Sequence, residues 1–167
     1  MPVVAADIVT RLSGGAANTS ALTSLGGTIS SAVQPAALFD DVSAAQSTTG
    51  VVEYRCVYVR NGNASVALED ARAWLSANIT SAGVTVEIGL GTSAVNGVEQ
   101  TVANESAAPA GVTFGPAATK AAGVVLGTLA AGQHRAVWIR RTVAAGAALA
   151  NASENSIKLR TEGETLK

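Results

Sequence analysis

Large aromatic rings are scarce in this chain. They make up 4% of its 167 residues: Trp74, Trp138, Tyr54, Tyr58, Phe39 and Phe114. Hydrophobic residues nevertheless reach 48%, so much of the apolar content is alanine, which contributes little burial energy per residue. The composition predicts a thin core of small side chains, with contacts between subunits adding stability. Charge is scarce as well: 14% of residues are charged and the net charge is −1. No basic stripe exists to neutralise phosphates, which argues against nucleic-acid binding. Low charge and a mean hydropathy of +0.32 point to a chain that meets other protein surfaces. The single cysteine, Cys56, rules out an intrachain disulfide. No apolar run is long enough for a transmembrane helix, so no membrane partner is expected. The opening Met-Pro-Val-Val-Ala-Ala-Asp has no basic segment followed by a long apolar one. It is read as the start of a chain made and folded in a host cytoplasm.

What is present is β-structure. In Val51–Asn61, Val52, Tyr54, Cys56 and Tyr58 alternate with Glu53, Arg55, Val57 and Val59, and Asn61-Gly62-Asn63 ends the run. A second main strand is predicted over 133–143. Weaker strands are predicted over 64–68 (as a hairpin with the first main strand), 71–76, 84–89, 98–102 and 156–160, and apolar residues Val124–Leu126 and Leu129 flank Gly127. Glu69-Asp70 reads as a turn, Gln46 to Gly50 as a polar turn, and Pro35 to Ser43 as a short helical turn or bent loop. Short strands at regular spacing predict an all-β, two-sheet antiparallel β-sandwich, immunoglobulin-like or jelly-roll. Residues 1–34 are rich in Ala, Ser, Thr and Gly and are read as an extended N-terminal arm that orders against a neighbour, with Asp7–Leu12 open to a short strand. Residues 35–167 are read as the sandwich domain.

Catalytic chemistry finds little support. His134 is the only histidine, it starts a strand, and no nucleophile-elbow motif accompanies it. Cys56 lies within the apolar face of a strand, where a buried structural thiol is the ordinary reading. Gly89-Leu-Gly91 with Gly97 superficially resembles a nucleotide loop, but the third glycine is misplaced and no helix follows. Asp40-Asp41 and Glu69-Asp70 read as solvated turns, and no ligand spacing suggests a metal. No catalytic residue, metal or cofactor is expected. Arg135, Arg140 and Arg141 cluster around Trp138. They read either as an intersubunit contact or as a half-exposed strand with solvated arginines.

The segments Glu53–Asn61, Ile88–Ser93, Glu99–Glu105 and Ala136–Val143, with Arg11–Asn18 and Leu25–Ser30, resemble those of small structural proteins of tailed bacteriophages. The resemblance implies a virion component, and among such proteins a capsid decoration (cement) protein. Its expected partners are the major capsid protein, across subunit seams on the capsid surface, and itself as a trimer or dimer. A tail or baseplate protein and a host-surface-binding module are the alternatives. The interface is expected at Arg11, Leu12, Leu22, Leu25 and Ile29 of the arm and at Arg135, Trp138, Arg140 and Arg141. The loops 89–97 and 104–115 are expected at the rim.

Overall fold

The computed structural model describes residues 2–79, 81–148 and 156–165. It is an all-β sandwich of two antiparallel sheets. Strands β1 (Ile8–Ser13), β2 (Ile29–Val33), β3 (Val51–Asn61), β5 (Val84–Leu90) and β7 (His134–Val143) form a sheet in the order β2-β1-β3-β7-β5. Strands β4 (Leu68–Ala77), β6 (Val124–Leu129) and β8 (Lys158–Glu164) form a smaller sheet in the order β6-β4-β8. From β3 onward each successive strand lies in the opposite sheet, so every connection crosses the sandwich.

The β3–β7 ladder is the spine, in unbroken register from Val51↔Val143 to Arg60↔His134. Its side chains alternate, and both sides are buried. Val57, Val59, Val137 and Ile139 face the small sheet, meeting Leu68, Ala71, Ala73, Leu75, Leu126 and Leu129. Tyr54, Cys56, Tyr58, Ala136 and Trp138 form a second core on the other side, under Leu25, Ile29, Val102, Val112 and Phe114. That second cover contains no sheet. It is a layer of loops from 14–28 and 91–115, and it gives the molecule a third layer.

The expected N-terminal arm is replaced by sheet structure. β1 lies between β2 and β3, paired from Ile8↔Asn61 to Leu12↔Val57, and Leu12 is wholly buried. Its polar composition serves the interior. Ser24 Oγ accepts from the Ser13 amide at 2.8 Å and donates to the Cys56 carbonyl at 2.6 Å. Beyond the end of β1, the amides of Tyr54 and Cys56 donate to the carbonyls of Glu105 and Ser24. Hydroxyls and loop carbonyls thus complete the edge of β3, which hydropathy does not reveal.

Other boundaries also move. The expected 64–68 strand and its hairpin do not form. Asn61 Nδ2 donates to the carbonyls of Val66 and Leu129, and Asn63 Oδ1 accepts from the amides of Ser65 and Val66. These side-chain turns coil the connection over to β4. Glu69-Asp70 is a bulge inside β4, with Asp70 at φ 46°, a conformation aspartate tolerates. The 71–76 expectation holds and extends into β4. Residues 35–43 make no helical turn; Leu38 and Phe39 are buried in irregular chain. The helix α1 is Ala44–Thr49 instead, started by a Ser43–Gln46 capping box. The 98–102 strand reduces to one bridge, Gly27↔Glu99. Gly26 beside it, at φ +97°, has no room for a side chain, since a Cβ would lie 1.8 Å from the Gln100 carbonyl oxygen.

Because β1 is interior, deletion of residues 2–33 is expected to abolish cooperative unfolding, and Leu12→Ala to cost about 2–5 kcal/mol in urea denaturation. A deleted chain with a native near-UV spectrum and a sharp transition would restore the arm.

Candidate functional site

The most concentrated chemistry lies at one end of the β3–β7 ladder. Glu53 and Arg141 are cross-strand partners, and Arg55 follows on the same face of β3. All three are fully buried. Arg141 donates to Glu53 Oε2 from Nε at 2.8 Å and from Nη2 at 2.5 Å, and to the Asp40 carbonyl at 2.7 Å. Arg55 donates to Glu105 Oε2 at 2.6 Å and to the Tyr54 carbonyl at 3.0 Å. The Asp40 carboxylate reaches both, 3.4 Å from Arg141 and 3.8 Å from Arg55. The Phe39 ring lies against both guanidiniums, 4.7 Å from Arg141 and 5.3 Å from Arg55. Burial pushes the Glu53 carboxyl up, against the opposing pull of Arg141.

Asp40, Glu53 and Glu105 bring carboxylate oxygens within 4.8 Å of one another, close enough to hold a cation. The two guanidiniums already bridge these oxygens, and a metal ion would sit beside two fixed positive charges. The arrangement is an ion-pair network. It fastens the 38–40 segment and the Glu105 loop to the sheet.

A second buried network lies under the loop layer. Glu99 accepts from Thr92 Oγ1 and from the Ser93 amide, both at 2.9 Å, and its own amide donates to Tyr58 Oη. Tyr58 Oη donates in turn to the Gly27 carbonyl at 2.5 Å. Burial acts to raise the Glu99 carboxyl, but these donors outweigh it and hold the group at about 2. Ser93 Oγ and Trp138 Nε1 lie beside it without a well-formed hydrogen bond. Burial pushes the Tyr58 hydroxyl up to about 12 and the Cys56 thiol higher still, so Cys56 is an inert core residue. His134 packs edge-on against Tyr58 at 5.1 Å, with its imidazole pushed down by burial and by Arg60.

The residues expected at an interface separate into groups. Leu12, Trp138 and Arg141 are fully buried, which corrects their assignment to a surface. Arg140 pairs with Glu87 and lies 4.9 Å from the Phe114 ring; Arg135 donates to the Leu126 carbonyl at 2.8 Å. Arg11 donates to the Ser31 carbonyl. Leu22 is 48% exposed, Leu25 lies partly buried in the same loop layer, and Ile29, which opens β2, is partly buried against the same core. The buried network of Glu53, Arg55, Phe39, Asp40 and Glu105 was not anticipated. One signal was present: the alternation of β3 places Glu53 and Arg55 on the face of Val57 and Val59. A core there demands partners for both charges.

The surface is divided by charge. Residues 14–31 contain no charged residue, and 88–115 contain only Glu99, which is 2% exposed, and Glu105, which is paired with Arg55. This layer exposes Leu22 and Val98 (63%) beside a hollow of about 420 Å³ lined by Gly14, Gly15, Gly26, Gly27 and Thr101. The opposite surface, the outer face of the small sheet, is charged. Glu162 pairs with Arg160 at 2.6 Å and with Lys120 at 3.5 Å, and Arg160 covers Trp74.

Two stability predictions follow from the networks. Arg141→Met leaves Glu53 buried without its partner and is expected to cost about 3–5 kcal/mol in urea denaturation; the double variant with Glu53→Leu is expected to cost less. For Glu99, a folded pKa of about 2 lies below the ordinary 4.5. Its contribution is therefore present above about 4.5 and lost as pH falls towards 2. Unfolding of wild type and Glu99→Gln should differ by about 3 kcal/mol at neutral pH and converge near pH 2.

No protein family matches the chain, and neither the curated proteins nor the solved structures yield a match.

Proposed function

We propose that this chain is a structural protein of a tailed-phage virion, a capsid decoration protein that binds across seams of the major capsid protein as a homo-oligomer, a trimer in the simplest case. The observation that carries the reading is the charge-poor loop layer over the five-stranded sheet, whose two charged residues, Glu99 and Glu105, are both engaged within the chain, opposite a charged outer face. Depletion of charge marks the core of a protein–protein contact. A charged opposite face suits a surface left in water. The sequence resemblance points the same way. The two buried networks then have a mechanical role, since they hold the contact layer rigid and reduce the ordering cost of binding. Binding that favours the expanded shell stabilises that shell by linkage.

The test is binding of purified protein to expanded capsids lacking it, followed by cryo-electron microscopy. Density on the outer shell, with the loop layer inward, is expected. Rings or tubes formed by the free protein, with no capsid binding, would move the assignment to the tail. Leu22→Asp and Val98→Asp are each expected to weaken capsid binding about 10- to 100-fold while leaving the thermal midpoint unchanged.

A further inference from the structure

The two sheets differ in width, and the difference falls at one edge. The small sheet stops at β8. The inner side of β1, where Ile8 and Thr10 stand in register with Asn61 and Val59, extends past it. Two hollows of about 350 and 650 Å³ occupy this margin and share Ala5, Ile8, Thr10 and Leu159 in their linings.

Exposed strand edges invite pairing, and folded proteins usually block them. Here three of the four sheet edges are covered at least in part. On β2, the Ser31 amide donates to the Ala16 carbonyl and the Ser31 carbonyl accepts from Arg11. On β5, Ile88 exchanges two backbone hydrogen bonds with Gly115. On β6, the Leu126 carbonyl accepts from Arg135. The edge of β8 differs. The amide just before it, Ile157, donates to the Ala36 carbonyl at 3.1 Å, so a neighbouring lane begins there. The 36–37 segment then leaves the lane for the core at Leu38.

The direction of the open groups follows from alternation. Leu75 stands opposite Leu159 in the β4–β8 ladder, yet its amide turns away to the Ala117 carbonyl. That pair therefore does not exchange backbone bonds. Leu159, Thr161 and Gly163, in phase with Ile157, direct their amides and carbonyls into the hollow. Among the described residues none of these groups has a backbone partner on that side. Val4 lines the hollow too, but its amide and carbonyl serve its own turn with Asp7.

We infer that the open lane beside β8, from Leu159 to Gly163, is a strand-acceptor site that takes an extended segment of a partner protein by β-augmentation. The lane continues the pairing that Ala36 begins, and it spans about five residues at ~3.3 Å each. Inward side chains of the incoming strand meet Ile8 and Leu159, which favours valine or isoleucine. Outward side chains stand beside Lys158 and the Arg160–Glu162 ion pair, which favours polar residues such as threonine or glutamate. The site lies away from the charge-poor loop layer and does not depend on the capsid reading.

Amide exchange of the full chain, followed by NMR, tests this. The probe is a capped Thr-Val-Glu-Val-Thr-Val peptide at millimolar concentration. In the dilute free chain the Leu159, Thr161 and Gly163 amides should exchange fast, and those of Arg160 and Glu162 slowly. The peptide should slow the first three about tenfold or more, and a version N-methylated at its valines should not. Three results would each overturn the inference: amides already protected in the dilute chain, no protection by the peptide, or equal protection by the N-methylated form. Protection that rises with protein concentration alone assigns the lane to a second copy and overturns the partner reading.

Discussion

A strand pair buried on both sides sets the terms for the whole molecule. The β3–β7 ladder presents valines and isoleucine to one side and tyrosines, cysteine and tryptophan to the other. Neither side can face water, so two covers are required. The small sheet supplies one. The other is irregular chain, and irregular chain next to a core must satisfy its backbone groups locally. Ser13, Ser24, Tyr58 and Glu99 do that here, with hydroxyls and a carboxylate in place of a strand ladder. Serine, threonine and glycine around the second core are its means of closure, although their abundance looks like that of a linker.

The buried arginines follow the same logic at a higher cost. Two guanidiniums taken out of water must each be matched, and Coulomb attraction barely offsets desolvation even in good geometry. Stability alone does not require such a network. It fixes position: Arg141 holds the Asp40 backbone and the Glu53 side chain together, and Arg55 holds Glu105. The 38–40 segment and the Glu105 loop are otherwise tied by few regular hydrogen bonds. Charged anchors of defined geometry set their placement where apolar contacts would allow sliding.

The legibility of the chain follows the same division. β3 was readable to the residue, because period-two alternation of β-branched and aromatic side chains between turn residues has no helical counterpart. β7 and β5 were readable within a residue or two, and β6 only as apolar residues flanking Gly127. β1 was half legible, since Asp7–Leu12 reads as a short strand, but its place inside the sheet was not, and β2 was hidden, because the polar chain around them closes through hydroxyls and loop carbonyls that hydropathy does not register. The hairpin after Asn61 was misread because Asn61-Gly62-Asn63 suits a tight turn, whereas the two asparagine side chains bond forward and carry the chain to the other sheet. The ion-pair network was half legible. Alternation placed Glu53 and Arg55 on a core face, but their partners lie 50 and 88 residues away, a distance no local pattern reaches.

Arg11 and Arg135 show how the fold assigns work that composition cannot. Both are arginines near exposed strands, and both fit an interface anchor by residue type. In the folded chain each gives a guanidinium N–H to a carbonyl of the neighbouring edge strand, Ser31 on β2 and Leu126 on β6. An edge capped in this way resists pairing with another chain. Such caps hinder sheets from joining edge to edge. One carbonyl of β2 and one of β6 are held by arginine and β5 is bridged by Gly115, whereas among the described residues Leu159, Thr161 and Gly163 of β8 have no backbone partner on their outer side. The margin beside β8 itself arises from the width of a five-stranded sheet that three strands cannot fully cover.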